Sequence, residues 1–179
     1  MDSDCTHLFV IDSDLGWETA GFTRVIKAAL AGFDVIGGTF PNKNKWSSFG
    51  VVPVSDKEGN FYGIEKDGFR LIEVMVLPGG FLIYTKNAFE MTHDLINRYT
   101  DTGRESEGIL YYEYFRCDIN DRNERMGEDC YFMNKFRQAG GKVFLEPDIT
   151  FTHFGVKGWR GNYHNQLLDE KQRREKLNA

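Results

Sequence analysis

The stretch FVIDSDLGW, residues 9–17, decides how this chain is read. An apolar run ends in two aspartates one residue apart, and a glycine and a tryptophan follow. Residues 7–11 are short and continuously apolar after His7, the pattern of a strand buried on both faces of a parallel sheet. In such a strand positions i and i+2 share a face, so Asp12 and Asp14 project together and Ser13 points away. Open α/β sheets place ligands at the carboxyl ends of their strands. Two carboxylates there suit Mg²⁺ or Mn²⁺, which take one or two carboxylates and fill the remaining positions with water or substrate phosphate. A polar strand end with a capping aspartate accounts for the same pair.

Working outward, Phe22, Val25, Ile26, Ala29 and Leu30 recur at helical spacing, and Gly32 is a natural stop. Residues 34–38 (DVIGG) form a second short strand. Strand, loop, helix, strand is the opening of an α/β layer fold. Residues 49–54 and 61–64 flank the polar turn SDKEGN as a hairpin. Residues 70–85 are apolar but interrupted by Pro78, Gly79 and Gly80, giving two strands or one bent strand. Asn87 then caps a helix, with Glu90 three residues on as its reciprocal partner. Residues 98–125 read as a long, partly irregular loop around the strand-like ILYYEYF (109–115). A helix follows over 128–139 and ends at Gly140 and Gly141. Residues 142–145 and 149–153 are strand-like, and 165–179 form a charged tail, a surface helix or frayed end.

With 179 residues, the chain suffices for a single domain, 1–179, with its own core. A net charge of -5 gives no reason to expect nucleic acid as a partner. No apolar run reaches the roughly 20 residues of a membrane span, and no signal peptide opens the sequence. The three cysteines, Cys5, Cys117 and Cys130, are scattered without a CxxC pair, which argues against a zinc knuckle or disulfide scaffold and for a reducing, cytoplasmic setting.

Three further stretches carry chemistry. In GEDCYF (127–132), Glu128 and Asp129 open a helix, where the dipole favours acids whatever their role; one of them, Asp129 first, could take a proton from an attacking hydroxyl. In THFGVKGWRG (152–161), His153 ends a strand, where a neutral imidazole can ligate a metal or simply pack. Gly155, Gly158 and Gly161 imply a tight loop, and Trp159 and Arg160 could face a sugar or phosphate, or pack. In PGGFLIYTKNAFE (78–90), Gly79 and Gly80 permit close backbone approach, or mark a bulge.

The order of these motifs is more informative than any one of them. THLFVIDSDLGW (6–17), PNKNKW (41–46), GGF (79–81) ahead of a strand and helix, GED (127–129) opening a helix, and HFG (153–155) together resemble nucleotide-sugar glycosyltransferases of the GT-A fold, in the bacterial and viral type related to family 2. The resemblance runs from Thr6 to about Gly161. It implies a mixed, mainly parallel sheet flanked by helices. It implies that Asp12 and Asp14 hold Mn²⁺ or Mg²⁺ against the diphosphate of a nucleotide-diphosphate sugar, with His153 as a further ligand. Asp129 would be the general base of an inverting transfer, with Glu128 beside it orienting the acceptor. Gly79, Gly80 and Phe81 would wall the donor and acceptor sugars, Trp159 would face a sugar, and Lys43 would touch phosphate or acceptor. The implied function is transfer of a sugar to a hydroxyl of a glycan acceptor.

In GT-A enzymes a nucleotide-binding half precedes the DxD, whereas Asp12 stands near the start here. The expectation is therefore an N-terminally shortened member that binds UDP- or GDP-sugars poorly, or that obtains its nucleobase pocket from a partner chain or a second copy. An inactive or split sugar-binding subunit of such a transferase is the non-enzyme alternative. Phosphatases of the haloacid dehalogenase kind also place DxD after an apolar strand, with the first aspartate as nucleophile. They continue DxDGT or DxDxT, and this chain has DSDLG with no clear later lysine motif. An EF-hand loop fails, because Gly16 takes its fifth position and Thr23 the place of the bidentate glutamate.

Overall fold

The structure is a computed structural model that describes residues 4–43, 48–66, 68–101, 103 and 108–177. Residues 44–46 of PNKNKW lie outside the described residues. The elements run β1 (His7–Ile11), β2 (Leu15–Trp17), α1 (Thr19–Leu30), β3 (Val35–Gly37), β4 (Val52–Pro53), β5 (Gly63–Lys66), β6 (Phe69–Val76), β7 (Phe81–Thr85), α2 (Lys86–Thr92), β8 (Arg98–Thr100), β9 (Leu110–Tyr112), β10 (Asp118–Ile119), β11 (Arg125–Met126), α3 (Glu128–Gln138), β12 (Val143–Leu145), β13 (Phe151–His153), β14 (Trp159–Gly161) and α4 (Tyr163–Leu177). A single 3-10 turn, His93–Leu95, follows α2.

The main sheet has the order β1-β7-β3-β12-β6-β4, with β5 also paired to β6. The chain is thus a mixed α/β fold, but the sheet is mostly antiparallel. Among the described residues only β3 and β12 pair in parallel, with Val143 opposite Val35 and Leu145 opposite Gly37. This corrects the expectation of a mainly parallel sheet. A continuous apolar run reports burial on two faces, and burial does not fix strand direction. β1 departs further. It lies at the sheet edge, antiparallel to β7, and Leu8 and Ile11 are 43% and 38% exposed.

Alternate residues of the central strands feed two cores. Ile36, Leu71, Phe81, Ile83 and Phe144 face the α1 side, where Val25, Ala28 and Ala29 pack. Val35, Val74, Leu82, Tyr84, Val143 and Leu145 face the other side, where α2 and α3 supply Ala88, Phe89, Phe132, Met133 and Phe136. Helices therefore cover both faces of the sheet, and period-two alternation sorts the side chains between them.

The middle of the sheet requires Gly37. A Cβ there would lie 2.2 Å from the Phe81 carbonyl oxygen and 2.6 Å from Leu82 Cδ2. Because backbone is the obstacle, no rotamer change relieves it. Gly37→Ala is expected to lower stability by about 3 kcal/mol, the upper end for overpacking, read as a shift in the urea midpoint. Gly50→Ala, where the nearest atom would be Pro78 Cβ at 3.8 Å, should stay within about 0.5 kcal/mol of the parent.

Several local expectations shift. The polar turn closes as read, with Asp56 and Asn60 bonded through backbone and side chains. Its arms do not form a simple ladder with each other; β4 and β5 both pair with β6. The 70–85 stretch is two strands, β6 and β7, separated in the sheet by β3 and β12. Thr85, rather than Asn87, caps α2, its Oγ1 accepting from the Ala88 N–H at 3.2 Å. Asn87 instead donates to Asp34 Oδ2 at 3.0 Å. The 98–125 region contains two antiparallel ribbons, β8/β9 and β10/β11. The charged tail is helical to Leu177 and is anchored by Tyr163 and Leu167 on the core. Among the described residues no helix is long and apolar enough to cross a membrane.

Candidate functional site

The DSD stretch is a turn, not the end of a strand. β1 stops at Ile11, opposite Phe81. The Asp12 N–H then donates to the Gly80 carbonyl at 2.8 Å, and the Leu15 N–H donates to the Asp12 carbonyl at 3.3 Å. The chain thereby passes from the main sheet to a small one of order β14-β13-β2. The shared-face argument for the two aspartates, which needs strand geometry, does not apply. Asp12 lines a cleft beside Gly80, while Asp14 turns toward Lys43 and His153.

The cleft has a volume of about 450 Å³. One wall is the Pro78-Gly79-Gly80 turn between β6 and β7, and another is the N-terminus of α3 with Glu128 and Asp129. Phe40, Tyr84 and Phe115 supply aromatic surface. A Cβ on Gly80 would fall 2.4 Å from Asp12 Oδ2 and 2.9 Å from Phe40 Cε1, so glycine there lets the DSD turn seat against the cleft. The Gly79 N–H donates to Asp129 Oδ2 at 2.9 Å, and the Cys130 N–H donates to Asp129 Oδ1 at 2.7 Å. Each carboxylate oxygen keeps a second lone pair, so Asp129 is held in place and can still accept a proton. Glu128 is more exposed and accepts a weak bond from the Cys117 thiol at 3.7 Å. The acidic rim registers on its neighbours. Burial and the Asp129 charge push the Cys130 thiol up to about 11, and burial with both acids raises the Tyr84 hydroxyl further still.

The second cluster lies where β2 meets β13, with Leu15 opposite His153. His153 Nδ1 sits 2.9 Å from the Pro41 carbonyl oxygen. A carbonyl can only accept, so Nδ1 carries a proton; in the neutral ring Nε2 then has the free lone pair. Nε2 lies 3.6 Å from Asp14 Oδ2. Lys43 Nζ pairs with the same oxygen, and the hydrogen bond from Lys43 is the main reason Asp14 titrates below the ordinary carboxylate range. Among the described residues no three His, Cys, Asp or Glu side chains form a metal-holding cluster. Asp12 is therefore not gathered with Asp14 and His153. One carboxylate and one imidazole are donor types that could hold Mn²⁺ or Mg²⁺, ions that keep several waters and need few protein ligands. A carboxylate and an imidazole lone pair face one another, the imidazole fixed from behind by a backbone carbonyl as in bound metal sites.

Phe40 links the two clusters. It lines the cleft, and its ring centroid is 4.8 Å from that of His153. Trp159, opposite His153 in the β13/β14 ladder, stands beside the second cluster with Lys157 Nζ 5.3 Å from its ring centroid. A Cβ on Gly155 would sit 2.9 Å from Trp159 and 3.3 Å from Lys43, which explains the glycine in HFG. Phe81 is a correction. Its side chain is fully buried among Phe9, Trp17, Phe22 and Phe151, so it braces the turn from beneath and walls no ligand. Sequence reading missed Phe40, Tyr84 and Phe115. Tyr84 alone left a signal, since alternation along FLIYT places it on the same face as Leu82.

No family model matches the chain, and no curated protein matches it. Among solved structures, the crystal structure of A197 from STIV is similar at 18% identity with a TM-score of 0.45, over 85% of this chain and 59% of that one. The chain thus spans less than two thirds of that protein's length.

Proposed function

We propose that the chain is a metal-dependent glycosyltransferase that moves a sugar from a nucleotide-diphosphate donor to a hydroxyl of a glycan acceptor. The observation that carries this reading is convergence. Asp12, Gly79, Gly80, Glu128 and Asp129, from three distant stretches of sequence, meet at one cleft. In an inverting transfer the acceptor oxygen bonds to the anomeric carbon, and the bond from that carbon to the diphosphate oxygen breaks with its electron pair on the diphosphate. Asp129 takes the acceptor's proton, held for that task by the Gly79 and Cys130 N–H groups. Glu128 orients the acceptor at the exposed rim. Asp14 and His153 would hold the Mn²⁺ or Mg²⁺. Bound there, the ion supplies positive charge against the departing diphosphate. Lys43 is placed to add a second positive charge beside it.

Asp14→Asn is expected to weaken Mn²⁺ binding at least tenfold in calorimetry, and His153→Ala likewise. Unchanged Mn²⁺ affinity in both variants would remove the metal role. The Lys43–Asp14 ion pair favours a second reading, a sugar-binding subunit in which lysine permanently replaces the cation. Under that reading Mn²⁺ does not bind the parent chain, and Lys43→Met creates no activity.

A further inference from the structure

A second cleft of about 450 Å³ opens on α2 and the turn after it, lined by Lys86, Phe89, Glu90, His93, Asp94 and Tyr114. Flat rings crowd its edge. The His93 ring centroid is 4.3 Å from that of Tyr112, and His93 Nδ1 is 3.3 Å from the Tyr114 hydroxyl. The Arg98 guanidinium lies 5.4 Å from the centre of the Tyr112 ring and bonds Asp94 at 3.0 Å. Behind them Tyr99 and Tyr111 stack at 5.5 Å on the β8/β9 ribbon. Four of the chain's eight tyrosines lie in this ribbon and the segment after it, so the surface is strongly enriched in amphipathic rings.

Charge narrows the ligand. Among the described residues Lys86 and Arg98 balance Glu90 and Asp94, which gives no net attraction for a polyanion or a polycation. Aromatic edges and a tyrosine hydroxyl, interleaved with carboxylates and an amine, suit a neutral polyhydroxylated ligand such as a pyranose. The groove adjoins the cleft that holds Asp129, with Phe89 packed between them. Tyr114 lines one and its neighbour Phe115 lines the other, and Phe89 packs on both, at 5.0 and 6.1 Å between ring centroids.

We propose that this groove is the acceptor subsite and takes a neutral oligosaccharide, whose terminal hydroxyl reaches Asp129 past Phe115. The proposal rests on the transferase reading for its purpose, yet binding can be read without catalysis. Titrating the parent chain with maltohexaose, cellohexaose and chitohexaose, with neither metal nor donor, should show saturable binding of at least one by calorimetry and by saturation-transfer NMR. Tyr112→Ala and the surface change Glu90→Gln should each weaken it at least fivefold, while Lys27→Gln, exposed on α1 across the sheet, leaves it within twofold. Glu90 is exposed and outside the core, so that variant keeps the test valid if Tyr112→Ala fails to fold. Binding of none of the three sugars, or binding indifferent to Glu90→Gln, overturns the subsite. Binding with this pattern in a chain that releases no nucleotide would uphold the groove and count against the transferase reading.

Discussion

Asp129→Asn is expected to slow sugar transfer roughly 10²- to 10⁴-fold, the range for losing one positioned general base, or about 3–5 kcal/mol of barrier. An amide cannot take the acceptor's proton. It also has one oxygen where two backbone N–H groups need acceptors, those of Gly79 and Cys130. Stability should therefore fall by about 1–2 kcal/mol, the cost of stranding one donor. Steady-state rates and an unfolding curve on the same sample separate the two effects. A rate loss no larger than the folded fraction accounts for would leave Asp129 a structural cap of α3.

Phe132→Ala should cost about 3–5 kcal/mol, the range for deleting a buried aromatic, and leave little folded protein at 37 °C. Phe132 is fully buried. Its ring lies 5.0 Å from that of Tyr84, 5.2 Å from Phe89 and 5.3 Å from Phe115. It thus ties α3 to β7, α2 and the aromatic segment at the cleft. α3 carries Asp129 one turn earlier, so a ligand-binding defect should accompany the loss of stability. Phe132→Leu keeps most of the volume and should cost less than half as much. Denaturant midpoints for the two variants check the ranking.

How far the sequence could be read follows from the physics each feature depends on. Apolar periodicity located α1, β3, β7, α3 and β12, because burial of one side chain after another is a local signal. Strand direction is not local. The apolar residues of β1 looked doubly buried, yet the strand lies at an edge beside an antiparallel neighbour, with Leu8 and Ile11 half in solvent. Thr85 displaced Asn87 as the cap of α2 because β7 runs on to Thr85, and Asn87 is drawn to Asp34. At the site, Gly79, Gly80, Glu128 and Asp129 were legible as residue types that permit close approach or present charge at a helix start. The aromatic lining was not, because Phe40 and Phe115 look like any apolar residue in a loop until the fold sets them against Gly80 and Tyr84. Asp12 and Asp14 were singled out as a pair, but the turn at residues 12–15 sends them to different clusters.

The most direct test is nucleoside-diphosphate release from the purified chain, given millimolar UDP- and GDP-hexoses, Mn²⁺ and a neutral hexasaccharide. The expected result is release from at least one donor, dependent on added hexasaccharide, abolished by EDTA and reduced at least a hundredfold in Asp129→Asn. Release from no donor, or release that survives both EDTA and Asp129→Asn, would contradict the assignment of this cleft to sugar transfer.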